Sequence, residues 1–307
     1  MNMKNFCSGA AMALLMVVLS VADADAQRFS RRKAYNSVGF HLNAMNYFGD
    51  IVPESDFTSL RFKSTRPNIG VSYTRRFTPR ISVRAALAWG RITGDDAKSA
   101  SVDEAENRPR FIRNLSFRND IKELSFVGTF DLFENRGNYL KRPDFSPYAF
   151  AGVAVFAHNP KAEYRGEFVA LQPLGTEGQN LDDSSDPLGN YDDPYSRIQI
   201  AIPFGLGVKY KLDKNWDLGF EIGWRKTFTD YLDDVSGFYA DPVALAANNP
   251  LSAALADRSG EQPLGPQVGW GQYNDQRGDR TDKDWYIVTG FNLTYILPQK
   301  GRSPKFR

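Results

Sequence analysis

The stretch RIQIAIPFGLGVKYKL, residues 197–212, alternates without a break. Ile198, Ile200, Ile202, Phe204, Leu206, Val208, Tyr210 and Leu212 share one face; Arg197, Gln199, Ala201, Pro203, Gly205, Gly207, Lys209 and Lys211 share the other. Successive side chains on a strand point to opposite faces, so an unbroken period of two demands an extended strand with one apolar side. A strand that crosses a bilayer needs about 9–11 tilted residues. This one is long enough to cross and protrude, with Ile202 expected near the membrane midplane.

The same period recurs. After a turn at Asp213–Asn215, Leu218, Phe220, Ile222, Trp224 and Phe228 oppose Gly219, Glu221, Gly223, Arg225 and Thr227. WYIVTGFNLTYIL sets Trp285, Ile287, Phe291, Leu293, Tyr295 and Leu297 outward. Val38, Phe40, Leu42 and Phe48 alternate with Gly39, His41, Asn43 and Tyr47; Ile69, Val71, Tyr73 and Phe77 alternate with Gly70, Ser72, Thr74 and Arg76. Ile81, Val83, Ala85, Leu87 and Trp89 form another outward set, as do Leu124, Phe126, Phe130 and Leu132. The segment YAFAGVAVFAH, 148–158, alternates poorly, and its aromatics Tyr148, Phe150 and Phe156 are taken as outward. The count is eight strands.

The connections alternate as well. Thr78–Arg80, Glu134–Pro147 and Asp213–Asn215 are short or moderate; Gly49–Arg66, Gly94–Arg118, Asn159–Ser196 and Tyr231–Lys283 are long. Short periplasmic turns opposite long extracellular loops are the pattern of outer-membrane barrels. The fold class that follows is all-β, an eight-stranded antiparallel transmembrane β-barrel spanning residues 35–298. A soluble β-sandwich would share the composition, 13 % aromatic with a mean hydropathy of −0.45, but not the strict long–short order.

The N-terminus fits export. MNMKNFCSGAAMALLMVVLSVADADAQ places Lys4 before an apolar run, which is followed by Ala24 and Ala26 in signal-peptidase spacing. The expected division is a signal peptide over 1–26, a periplasmic leader over 27–34 and a basic tail over 299–307. Cleavage removes Lys4, Asp23, Asp25 and the single cysteine, Cys7, which moves the formal charge from +2 to +3. So near-neutral a chain is no candidate for nucleic-acid binding, and the mature part has no thiol for a disulfide or a metal.

Chemistry has little purchase. In an eight-stranded barrel, side chains just fill the interior. Arg84, Glu123, Asp131, Arg197, Lys209, Glu221 and Arg225 are expected to point inward and pair, because an unpaired buried charge is costly. His41 and His158 fall on different strands, and there is no G-x-S-x-G serine motif. The expectation is a non-enzymatic protein with no cofactor, catalytic residue or metal. RGD at 277–279 reads as a chance tripeptide of a polar loop, and LGTEGQNLDDSSDPLGNYDDP as a solvated loop. Asp241-Pro242 and Asn249-Pro250 each put a capping residue before proline at the first helical position, which predicts short loop helices. TFTDYLDDVS, 227–236, takes a strand out of the membrane and ends in Asp230, Asp233 and Asp234, read first as a strand-end cap and second as a calcium site.

Several segments carry a resemblance: NYFGDIVPES, RPNIGVSYTRRF, GRITGDDAKS, RNLSFRNDIKELS, LQPLGTEGQ, IPFGLGVKYKL and TFTDYLDDVS. Running in order over roughly residues 35–297, they are similar to the PorG-type proteins, outer-membrane barrels of the type IX secretion machinery. The resemblance implies association with a periplasmic ring made by a lipoprotein and its partner subunit, besides the surrounding outer-membrane lipids. Such a ring could reach only the turns and the chain ends. The basic residues there, Arg136, Lys141, Arg142, Lys300, Arg302, Lys305 and Arg307, are the candidate partner-binding set. A structural or adhesive barrel that binds through its outer loops is the alternative.

Overall fold

The computed structural model describes residues 34–51, 64–100, 108–182, 191–262 and 271–298. Eight strands close into an antiparallel barrel: β1 (Asn36–Phe48), β2 (Arg66–Arg76), β3 (Ile81–Asp95), β4 (Ser116–Asp131), β5 (Phe145–Ala157), β8 (Ile198–Lys211), β9 (Trp216–Thr227) and β10 (Trp285–Leu297). Each pairs with its neighbours in chain order, and β1 pairs with β10 to complete the ring. A short hairpin, β6 (Pro160–Tyr164) and β7 (Glu167–Ala170), extends β4 beyond the barrel through Arg118↔Lys161. The strand reading missed this hairpin because it is too short to show periodicity.

The alternating faces fall as their chemistry dictates. Phe40, Leu42, Val71, Leu87, Phe126, Ile200, Leu206 and Phe291 stand exposed on the exterior, while Ser37, His41, Ser82, Ser125, Thr129 and Asn292 are buried within. A continuous belt of this kind has no place in water, and hydrocarbon is the solvent that suits it. Aromatics rim the belt: Phe204 stacks on Trp224 toward the long loops, and Trp216 packs on Tyr295 toward the turns.

Strand β5 reverses the sequence expectation. Tyr148, Phe150 and Phe156 point into the lumen and are 2 %, 4 % and 0 % exposed, while Val153 and Val155 face out. The reason lies on the adjoining strands. A Cβ at Gly207 would sit 2.5 Å from the Tyr148 ring, and one at Gly223 would sit 2.7 Å from Phe150. The glycines of β8 and β9 leave the space that these rings fill. The β5–β8 ladder also skips from Ala151↔Phe204 to Ala154↔Ala201, around Pro203, which has no N–H to give.

Inside, the charges pair. Asp131 accepts from Arg76 at 3.1 Å and from Lys209 at 2.7 Å, and Arg84 grips Glu221 through both carboxylate oxygens. Glu123 lies 3.6 Å from Arg225 and accepts from the Tyr286 hydroxyl at 2.7 Å. Arg197 is the exception: it lies exposed just before β8 and not in the lumen. Among the described residues, interior cavities of about 40 and 50 Å³ remain, with room for a few waters at most.

The two loop helices form where their caps predict. Asp241 accepts from the Val243 N–H at the start of α3 (Pro242–Asn248), and Asn249 from the Leu251 N–H at the start of α4 (Pro250–Ala256). Two more short helices, α1 (Asp96–Ser99) and α2 (Arg108–Arg113), lie between β3 and β4.

Candidate functional site

The long-loop end is closed by a buried polar cluster centred on the TFTDYLDDVS segment. Asp230, Asp233 and Asp234 are all buried. Asp234 has a left-handed backbone, φ 70°, which an Asp tolerates better than most residues. The adjacent carboxylates serve different loops. Asp233 accepts from the Tyr47 hydroxyl at 2.6 Å and the Ile51 N–H at 3.2 Å. Asp234 accepts from the hydroxyls of Thr176 at 2.6 Å and Tyr195 at 2.5 Å. Asp230 takes the Ser236 hydroxyl at 2.7 Å and lies 3.6 Å from the Lys283 ammonium.

Two arginines tie these groups together. Arg277 donates to Glu177 at 2.8 Å and to the Asp234 carbonyl at 2.6 Å. Arg113 holds Asp96 with two bonds of 2.8 and 2.9 Å and also reaches the carbonyls of Asp50 and Arg277. Glu177 accepts from the Ser236 N–H, and Asp284 from the Leu232 N–H at 2.8 Å. Gly49 permits the closest approach, since a Cβ there would lie 1.9 Å from Asp284 and 2.0 Å from the Tyr47 hydroxyl.

Acid outnumbers base in this cluster. Asp96, Glu177, Asp230, Asp233, Asp234 and Asp284 are buried there against Arg113 and Arg277. Burial, opposed by the Ser236 and Lys283 contacts, pushes Asp230 up to about 6. Burial also raises Asp234 to about 6 against the pull of Arg277, and Asp50 to about 7. Asp233 and Asp284 both accept from one hydroxyl, at 2.6 and 2.8 Å. A single O–H cannot serve both, and burial raises the two carboxyls well above the usual range, with repulsion from Asp50 adding at Asp233 and repulsion from Asp233 adding at Asp284. Among the described residues no group of three or more His, Asp or Glu side chains is arranged to hold a metal ion. The arrangement binds loops to one another.

Sequence reading named only three members of this cluster. Yet the segments that carry the family resemblance meet here: Tyr47 and Asp50 of NYFGDIVPES, Asp96 of GRITGDDAKS, Arg113 of RNLSFRNDIKELS, and Thr176 and Glu177 of LQPLGTEGQ. That convergence was the signal available. One loop reading changes. LGTEGQ is no solvated stretch, since Thr176, Glu177 and Gln179 are buried. The RGD tripeptide offers no free arginine, since Arg277 is 3 % exposed.

The lumen contains one Ser–His pair, with His41 Nε2 2.8 Å from Ser72 Oγ. It lies beside the two small cavities, which are too tight for an acyl substrate. His158 is held by the Ser196 carbonyl and stacked against Tyr195.

At the turn end the expected docking residues separate. Lys141 is exposed, and the Arg136 side chain is largely exposed and paired with Glu134 at 2.8 Å. Arg142 is different. It is 7 % exposed, bonds Asp217 at 2.8 Å and donates to the carbonyls of Tyr139, Asp213, Lys214 and Trp216. Its guanidinium clamps two turns together and offers a partner nothing. Lys300, Arg302, Lys305 and Arg307 lie outside the described residues, as do the signal peptide and most of the leader.

A protein-family profile, a domain of unknown function (DUF6089), matches residues 11–168 and 182–241, well over half of the chain. The chain belongs to the DUF6089 family. No curated protein matches it in sequence. Among solved structures it is similar to the attachment invasion locus protein Ail of Yersinia pestis, at 9 % identity over 86 % of this chain and 99 % of that one, TM-score 0.38. OprG of Pseudomonas aeruginosa is similar at 9 % identity over 87 % and 98 %, TM-score 0.36. The E. coli outer membrane protein W is similar at 13 % identity over 87 % and 100 %, TM-score 0.33. The similarity to these three concerns the fold. In this DUF6089 protein the barrel is joined to a loop cap held by buried carboxylates.

Proposed function

We propose that this DUF6089 protein is a non-enzymatic outer-membrane component of the type IX secretion machinery, docked at its periplasmic end to the ring of a lipoprotein and its partner subunit. The observation that carries the reading is the contrast between the two ends. The long-loop end is drawn into its own buried network, and the lumen is filled. The turn end presents Lys141 and the side chain of Arg136 to solvent. A basic surface there would steer an acidic partner and make association sensitive to salt. The sequence resemblance supplies the identity of that partner.

The test is copurification of the ring with Lys141→Glu combined with Lys300→Glu and Arg302→Glu, at matched membrane levels. Loss of the ring with intact barrel supports the reading; unchanged recovery removes the basic surface from it. Arg142 is left untouched, because its loss would disturb the turns themselves. A second reading, an adhesive barrel, draws on Phe238 and Val243, which stand exposed on the outer cap. It predicts that trimming the outer loops abolishes partner binding while the turn variant leaves it intact.

A further inference from the structure

Outside the barrel wall, beneath the β6–β7 hairpin, lies a groove of about 660 Å³. It is lined by Arg66, Arg91, Lys98, Arg118 and Lys161 against only two acids, Asp95 and Glu163. Its height on the wall follows from the β3–β4 register. Leu87 pairs with Leu124 in the lipid belt, then Trp89 with Lys122, Arg91 with Asp120, and Thr93 with Arg118. All of these share the outward face. At roughly 3.3 Å per residue, the wall turns from hydrocarbon to cation within about 13 Å along the strand. The groove therefore begins where the headgroups of the leaflet on the long-loop side begin.

The pairing inside the groove leaves cations over. Asp120, on the wall just below the lining, is taken by Arg91 with bonds of 2.6 and 3.2 Å, and Asp95 by Lys98 at 2.5 Å. Among the described residues, neither Arg118 nor Lys161 has a carboxylate partner, although their backbones pair directly. The Arg118 guanidinium lies 3.7 Å over the exposed Phe168 ring, and its buried Nε has no acceptor. Two adjacent unpaired cations beside an apolar ring, directly above a lipid-facing wall, match an anionic headgroup carried on acyl chains. A phosphate takes several charge-assisted bonds from such a pair, and the chains would lie along Leu87, Leu124 and Trp89.

We propose that this groove binds the phosphorylated headgroup of a glycolipid in the outer leaflet, with Arg118 and Lys161 as its phosphate ligands. The proposal rests on the outer-membrane placement and is independent of the secretion role. The experiment reconstitutes the full mature protein in phosphatidylcholine nanodiscs containing bis-phosphorylated lipid A, or the same lipid with its phosphates removed. Lipid retained on the barrel is read by native mass spectrometry. Wild type should retain the phosphorylated form preferentially, and Arg118→Gln with Lys161→Gln should lower that retention about tenfold or more. Lys226→Gln, a control at the opposite wall where the ammonium sits 4.1 Å over Trp285, should behave as wild type. Lys161→Gln alone, on the hairpin outside the barrel, gives a partial loss and guards against misfolding of the double variant. Equal retention of both lipids, or no effect of either variant, overturns the site. Displacement by inorganic phosphate alone would assign the groove to a soluble anion instead. Failure of wild type to insert at all would overturn the membrane placement, a result distinct from insertion without selective retention.

Discussion

At the scale of the residue, the loop cap makes an unusual demand on protons. Asp50, Asp230 and Asp234 have folded pKa values raised above the ordinary carboxylate value of 3.8, to about 7, 6 and 6, and burial raises Asp233 and Asp284 as well. For a raised carboxyl the folded state binds more protons than the unfolded state between the two pKa values. Stability therefore falls as pH rises through that window, from about 4 to about 7, and is gained on acidification. The shift of Asp234 corresponds to at most about 3 kcal/mol. The cap should exchange its amide hydrogens more slowly at pH 5.5 than at pH 8 after correction for intrinsic rates; the opposite order would contradict the assignment. Asp234→Asn keeps a carbonyl acceptor for one of the Thr176 and Tyr195 hydroxyls and turns an N–H donor toward the other, while removing one titration, so it should flatten this dependence. Arg277→Ala acts differently. It leaves Glu177 buried without its cation and should cost about 3–5 kcal/mol in cap stability, seen as rapid proteolysis of the outer loops from a barrel that still resists.

At the scale of the element, alternation told which strands exist and, for most, which face meets lipid. Where it failed the physics was nonlocal. Strand β5 carries apolar residues on both faces, and only the glycines of β8 and β9, dozens of residues away, decide that its rings turn inward. The loop helices were legible because Asp241-Pro242 and Asn249-Pro250 cap them locally. The cap was not, because its bonds join residues such as Tyr47 and Asp233, which share no local pattern. Depth was also misjudged. Ile202 pairs with Lys226, level with the upper aromatic rim, so it does not mark the midplane. Leu206, paired with Ile222 and Ala149, does. Leu206→Arg should thus cost about 2–4 kcal/mol on folding into vesicles, whereas Ile202→Arg, free to reach the headgroups, should cost about 0–1 kcal/mol. Equal costs in a urea titration would show that the depth assignment is wrong.

At the scale of the whole molecule, two closures are stacked along one axis. The lumen is filled in tiers: Arg76, Asp131 and Lys209 toward the turns, then Arg84, Glu221 and Tyr148, then Glu123, Arg225 and Tyr286 toward the loops. Above them the carboxylate cap draws the loops over the mouth. Every carboxylate in these tiers faces a cation, so a permeating ion would have to separate a buried pair in a low dielectric, at a cost of several kcal/mol. The lumen cavities of about 40 and 50 Å³ have room for a few waters and for no hydrated ion path. Purified protein in a planar bilayer should give no steady conductance, and cap variants such as Arg277→Ala should remain silent because the tiers below are intact. Shortening the plug itself is the informative change. Tyr148→Ala with Phe150→Ala and Tyr286→Ala removes three rings that fill the space over the lumen glycines and beside Glu123, and small open-channel currents should then appear. Reproducible channel steps from the unmodified protein would mean that the tiers part readily, and a passage through the barrel would have to replace a closed wall as the basis of its function.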